Sequence, residues 1–213
     1  MPLDDDVNQA LFHLHFGFNA PLWGKAIRLQ VSRLRPIEDL AVQVIAADRA
    51  IKAGTASEDQ LALSHELDAA REENPDFDCE FQVHIHPTAS AEAAFLVIAM
   101  RGLLQSAERM VKQLAPLGKE ATIKNAVDTF KRTQPHVTLF RDVLIHNDEY
   151  STGEGRCKNK AIAPNQGMGV VQDDVGRILV TWGGHAMPLL QAADEALALR
   201  RTLNQEYWGK LTA

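Results

Sequence analysis

Arg141-Asp142-Val143-Leu144-Ile145-His146 is the stretch of this chain whose residue types could do chemistry. Arginine brings a permanent cation with forked donors that match a phosphate or a pentavalent transition state. Histidine takes and gives a proton near neutral pH. On a helix, Asp142 and His146 are i, i+4 neighbours, so the carboxylate can touch the imidazole and favour its protonated form. Arg141 and His146 stand differently: five steps along an ideal helix set them about 140° apart around its axis. To meet on one reactive atom they need the reach of Arg141, an unwound helix end or a second subunit. Just beyond, Arg156, Lys158 and Lys160 put three cations within five residues, where they could position a phosphate backbone.

Other constellations carry less. His13-x-His15 and His84-x-His86 would each turn two imidazoles to one face of a strand, as a metal site requires, with Asp78 or Cys79 near the second pair. The plainer reading is a solvated strand face opposite Phe12, Leu14, Phe16 and Phe18, and no metal is assigned. Cys157 sits between Arg156 and Lys158 without an identifiable base and reads as an exposed thiol. Gly167-Met168-Gly169 approaches a strand rather than a strand-to-helix turn, so it reads as turn chemistry and not as a phosphate loop. Trp182 and Trp208 read as packing residues. No nucleophile elbow, P-loop or HExxH occurs, and no stretch singles out a cofactor.

The elements that must position these residues are mostly helical. Residues 11–18 alternate as a strand would, and Pro21 and Gly24 interrupt the pattern. A helix is expected from Pro36, with Ile37, Leu40, Ala41, Val44 and Ile45 on one stripe, ending at Gly54. Ser57-Glu58-Asp59-Gln60 has the form of a capping box for a helix to about Glu73, before a break at Asn74-Pro75-Asp76. Residues 81–86 alternate again. Thr88 or Ser90 would cap a helix from about Ala91 to Leu114; Phe95 to Met100 is apolar on every side, so other helices should surround it. Pro116 and Gly118 end it. Another helix follows from Lys119 to Arg132, with Ile123, Ala126, Val127 and Phe130 on its stripe. Pro135 either kinks that helix or opens a new one running through Val137, Phe140, Val143 and Leu144 to about His146. Residues 151–155 form a loop. Val170-Val171 and Ile178 to Val180 read as a β-hairpin, and a last helix starts near Pro188. The expected fold is therefore mainly α: an antiparallel helical bundle with a small β-hairpin near the C-terminus, most simply one domain.

Composition bounds the function. At 213 residues, 46% hydrophobic and with two cysteines that form no CxxC, the chain can bury a core without disulfides and is neither collagen-like nor wholly disordered. The longest apolar run, the eight residues Ala93 to Met100, is far below the roughly 20 that a membrane-spanning helix needs. The acidic start Met1 to Asp6 is unlike a secretory signal, and a cytoplasmic location is expected. A net charge of -6 argues against a chain coated in nucleic-acid-binding charge. Yet Arg101 to Lys160 holds 11 Lys/Arg against 7 Asp/Glu, a balance of +4, while the remaining 11 against 21 make -10. A local polyanion site inside that segment stays open.

The Arg-x4-His motif, with polar Asp142 directly after the arginine, resembles that of the HEPN superfamily, and its place after a strongly apolar central helix and before a loop is similar too. The resemblance covers Ala91 to about Gly155. It implies a helical bundle over residues 87–213, with residues 1–86 an N-terminal strand and helical segment of unknown role. It also implies a homodimer that brings two motifs together and a metal-independent ribonuclease of a toxin or antiviral defence type, acting on RNA and sometimes held by an antitoxin or regulatory partner. His146 would then move the proton of a ribose 2′-hydroxyl, Arg141 would stabilise the phosphorane, and Asp142 would orient the pair. Some toxin members carry a tyrosine two residues after the histidine; here Asp148 stands there and Tyr150 lies four after. The alternative expectation is a non-catalytic helical module serving oligomerisation or regulation.

Overall fold

The computed structural model describes residues 20–73, 87–146 and 168–211. Six α-helices lie in them: α1 (Ala20–Lys52), α2 (Glu58–Glu73), α3 (Pro87–Leu114), α4 (Ala121–Thr133), α5 (Val137–Ile145) and α6 (Leu189–Leu211). A three-stranded antiparallel sheet, β1 (Gly169–Gln172), β2 (Ile178–Trp182) and β3 (His185–Pro188), precedes α6. The fold is mainly α, as the periodicities require. The alternating stretches 11–18 and 81–86, with both H-x-H pairs, lie outside the described residues.

Helix α1 corrects the expected start at Pro36. It runs for 33 residues from Ala20 and passes through both supposed breakers and through Pro36. Pro21 falls in the first turn, where a missing N–H costs nothing. Ala20, Ile27, Leu34 and Ala41, spaced by sevens, are all buried, so one continuous seam of packing holds the helix together. Pro36 leaves the Ser32 carbonyl without its intrahelical donor, but both residues are exposed and water can serve that carbonyl. Tertiary packing thus overrides local propensity.

The seam meets α3 in an antiparallel pair. Trp23 covers Gly102, while ten residues later Arg33 Nη1 reaches Glu92 Oε1 at 2.5 Å, ten residues earlier on α3. At Gly102 an added Cβ would stand 2.5 Å from the Trp23 ring, so only glycine lets the helices approach there. Helix α3 begins at Pro87, four residues before the expected Ala91, and so takes in both proposed caps, Thr88 and Ser90; a proline suits a first turn better than a capping position. Leu96, Val97, Met100, Leu103 and Leu104 are buried, and α1, α4, α5 and α6 all pack against this helix. The expected encirclement is incomplete, because Phe95 is 58% exposed.

The remaining helices follow their signals closely. The Ser57 box is formed: Gln60 N–H donates to Ser57 Oγ and Ser57 N–H to Gln60 Oε1. Ile123, Val127 and Phe130 bury one face of α4. Pro135 opens a new helix rather than kinking the old one. Glu108 on α3 ties α4 down, with Lys131 Nζ at 2.7 Å from Oε1 and Arg101 Nη1 at 3.1 Å from Oε2.

The expected hairpin is present in the register Val170↔Val180, and a third strand that the sequence reading lacked extends it through Trp182↔His185. Ile178, Val180 and Trp182 point into the core, so Trp182 is a packing residue. The β1–β2 turn docks on the side of α1. Gly176 has φ +93°, and a Cβ there would meet the Val42 backbone nitrogen at 2.6 Å. Ile178 N–H donates to Glu38 Oε2 at 2.7 Å, and Arg49 Nη2 to the Asp174 carbonyl. Burial raises the Glu38 carboxyl above its ordinary range despite that backbone bond.

Two predictions follow from this packing. Gly102→Ala should destabilise the protein by about 1–3 kcal/mol in urea unfolding, although alanine is the better helix former, because the methyl enters the Trp23 ring. Burial alone would raise the Glu108 carboxyl, but Lys131 and Arg101 outweigh it and hold it below the ordinary 4.5. Its contribution is therefore present above that value and lost as pH falls through the lower folded one. Unfolding free energies of Glu108→Gln should lack that part of the acid-side loss.

Candidate functional site

Helix α5 carries the motif. Val137, Phe140 and Val143 turn one face into the core against α3, which leaves Arg141 and Asp142 on the flank and Ile145 47% exposed. Arg141 Nη1 and Asp142 Oδ1 form an ion pair at 2.9 Å, each side chain 34% exposed. His146 is half-buried at the end of the helix, its N–H donating to the Asp142 carbonyl at 2.9 Å. Its backbone has already left helical geometry, with φ -118° and ψ 35°. Compared with a helical φ near -63°, this turns Cβ by about 55° around the N–Cα bond. The Cα of His146, still tied to the Asp142 carbonyl, keeps its helical place about 140° from Arg141, and only the direction of its side chain departs from the ideal helix.

The other end of α5 is held by an aromatic contact that sequence reasoning missed. His136 stacks on His185 of β3, ring centroids 4.6 Å apart and tilted by 38°, and meets the Phe140 edge at 6.0 Å. The signal for β3 was present: Trp182-Gly183-Gly184-His185 is a two-residue hairpin, and both glycines have positive φ, 55° and 79°. Without that strand nothing in the sequence brings His185 to His136, which lies 49 positions earlier.

The basic surplus is partly consumed inside the protein. Arg101 and Lys131 face Glu108, and Arg141 faces Asp142, while Lys112, Lys119, Lys124 and Arg132 are exposed. Arg156, Lys158 and Lys160, with Cys157, lie outside the described residues, so the described motif comprises Arg141, Asp142 and His146. Among the described residues no group of three or more His, Cys, Asp or Glu could hold a metal. No helix there is long and apolar enough to cross a membrane. A groove of about 480 Å³ between α4 and α6, with Thr129, Thr133, Glu195 and Thr202 in its wall, is separate from the motif.

No family model, curated protein or solved structure matches the chain. The chemistry therefore rests on the residues themselves. An ion pair between adjacent side chains, each a third exposed, contributes little to stability, about 0–1 kcal/mol. Asp142→Asn should accordingly shift the urea-unfolding free energy by less than about 1 kcal/mol, while releasing Arg141 from its carboxylate.

Proposed function

We propose that this protein is a metal-independent ribonuclease of the HEPN kind, of a toxin or defence type, acting in the cytoplasm as a homodimer. The observation that carries the reading is the joint placement of Arg141 and His146. The arginine lies on the half-exposed flank of a helix whose opposite face is sealed, and the histidine stands where the helix unwinds. A weakly held guanidinium can exchange Asp142 for a phosphate, because the two non-bridging phosphodiester oxygens can take both prongs of its fork where Asp142 takes one. The +4 balance of the surrounding segment favours a polyanion over other ligands.

In the proposed reaction, neutral His146 takes the proton of a ribose 2′-hydroxyl. The 2′-oxygen attacks the adjacent phosphorus, and Arg141 stabilises the charge on the phosphorane oxygens. The P–O5′ bond breaks, leaving a 2′,3′-cyclic phosphate, and the 5′-oxygen gains a proton from the imidazolium of the second copy's motif. Asp142 returns to Arg141 between turnovers. A single histidine cannot be base and acid at opposite ends of one in-line displacement, which is why the reading includes a second copy. An antitoxin or regulatory protein could silence the site by occupying Arg141.

The competing reading is a non-catalytic helical interaction module, and the exposure of Phe95 and Ile145 favours it. RNA cleavage in the presence of chelator separates the two. The wild type should yield cyclic-phosphate ends, and His146→Ala should lose about 10²–10⁴-fold in rate. Equal rates in both proteins would sink the catalytic assignment; no cleavage by the wild type on any RNA tried, with dimers intact, would favour the module.

A further inference from the structure

Helices α4 and α6 lie against each other, with Ile123, Val127 and Phe130 of α4 and Ala192, Ala196 and Leu199 of α6 in the core. Beside those stripes the facing rows are short. On α4, Thr122, Ala126, Thr129 and Thr133 follow the i, i+4, i+7, i+11 spacing of one helix face. On α6, Ala198 and Thr202 continue a row that starts at Glu195. Side chains this small cannot fill the space between two helices whose axes stand about 8–10 Å apart. A groove of about 480 Å³ results. That size falls within the roughly 300–1,000 Å³ of small-molecule sites.

The wall selects by charge. Among the described residues that line it, Glu195 carries the one formal charge; the others are threonines, alanines, an asparagine, Phe130 and Leu199. An anion meets no cation there. Thr133 Oγ donates to Glu195 Oε2. The same oxygen lies 3.2 Å from the Thr129 carbonyl and 3.3 Å from the Phe130 carbonyl, but its single hydrogen goes to the charged acceptor, which is the stronger one. Thr133 Oγ then presents its lone pairs beside the carboxylate. Glu195 Oε1 receives Gln191 Nε2–H at 3.5 Å, a long and weak bond that leaves this oxygen open to a better donor. Two acceptors, one of them charged, thus stand at the head of a groove floored by Ala126, Phe130 and Leu199.

We propose that the groove between α4 and α6 binds a small primary organic ammonium. Its N–H groups would bond Glu195 Oε1 and Thr133 Oγ, and its hydrocarbon part would lie on Ala126, Phe130, Ala198 and Leu199. An ammonium has three donors and no acceptor, which matches a head of acceptors, and its bond to the carboxylate is charge-assisted. A neutral alcohol of the same shape lacks that term, and a carboxylate is repelled by Glu195. The site uses neither α5 nor any motif residue, so it stands or falls independently of the ribonuclease reading.

The test is a titration of the full-length protein with benzylammonium chloride at constant ionic strength, followed by amide NMR shifts. Benzyl alcohol and sodium benzoate serve as isosteric controls. Saturable shifts at Thr129, Thr133, Glu195 and Ala198 are expected with benzylammonium. Affinity should be at least about tenfold weaker for benzyl alcohol and for Glu195→Gln, as expected for the loss of a charged hydrogen-bonding partner. Ala198→Leu, which fills the groove at an exposed helical position and leaves Glu195 in place, should abolish the shifts. Unchanged unfolding midpoints check that both variants fold. Absence of saturable shifts, equal affinity in wild type and Glu195→Gln, or benzoate binding as tightly as benzylammonium would overturn the proposal. Shifts of the same amides on diluting the protein alone would assign the groove to a second copy of the chain and overturn it as well.

Discussion

Removing α3 from water is the constraint on which the rest of the structure depends. Its apolar residues fall on more than one face, and a single partner helix cannot cover them. Helix α1 covers one side along a seam that repeats every seven residues, and α4, α5 and α6 cover the others. Each fully buried Leu, Val or Met side chain there contributes roughly 1.5–3 kcal/mol relative to exposure. That gain exceeds the cost of a glycine at 24 or a proline at 36 in α1, so the helix persists through residues that would end it in isolation. The motif helix α5 has only nine residues and would be marginal on its own. It exists because Val137, Phe140 and Val143 complete the cover of α3.

Polar groups set the register where apolar packing is permissive. Arg33 reaches Glu92 across α1 and α3, Glu108 joins α3 to α4, Glu38 receives the first N–H of β2, and Arg200 ties α6 to the first turn of α1. Each joins two different elements, and all but the Glu108 link span more than fifty positions of sequence. Such links contribute little net stability when half-exposed, but a shifted register would strand a charge with no partner. Glu38 and Glu108 show both outcomes of burying a carboxylate. At Glu38 burial wins and the carboxyl rises, while at Glu108 two cations win and it falls.

The motif was legible because its chemistry is local. Arg141, Asp142 and His146 lie within six residues, and the helix that carries them follows from the spacing of its apolar neighbours. The end of that helix near His146 was legible too, whereas the backbone φ that turns the His146 side chain was not, since an apolar stripe carries no information on a cap dihedral. The contact between His136 and His185 was hidden for a different reason: it depends on β3, whose Gly183-Gly184 turn was present in the sequence but unread.

Taken alone, the sequence determined the helical class, the Ser57 cap, the stripes of α4 and α5 and the hairpin centred on Val180, because these depend on period, turn residues and nearest neighbours. Tertiary structure decided the length of α1 and the covering of Gly24 by Arg200 and of Gly102 by Trp23. In each of these, residues tens to hundreds of positions apart share one site. A local pattern records propensity, whereas the fate of a glycine or an arginine depends on what the fold lays against it.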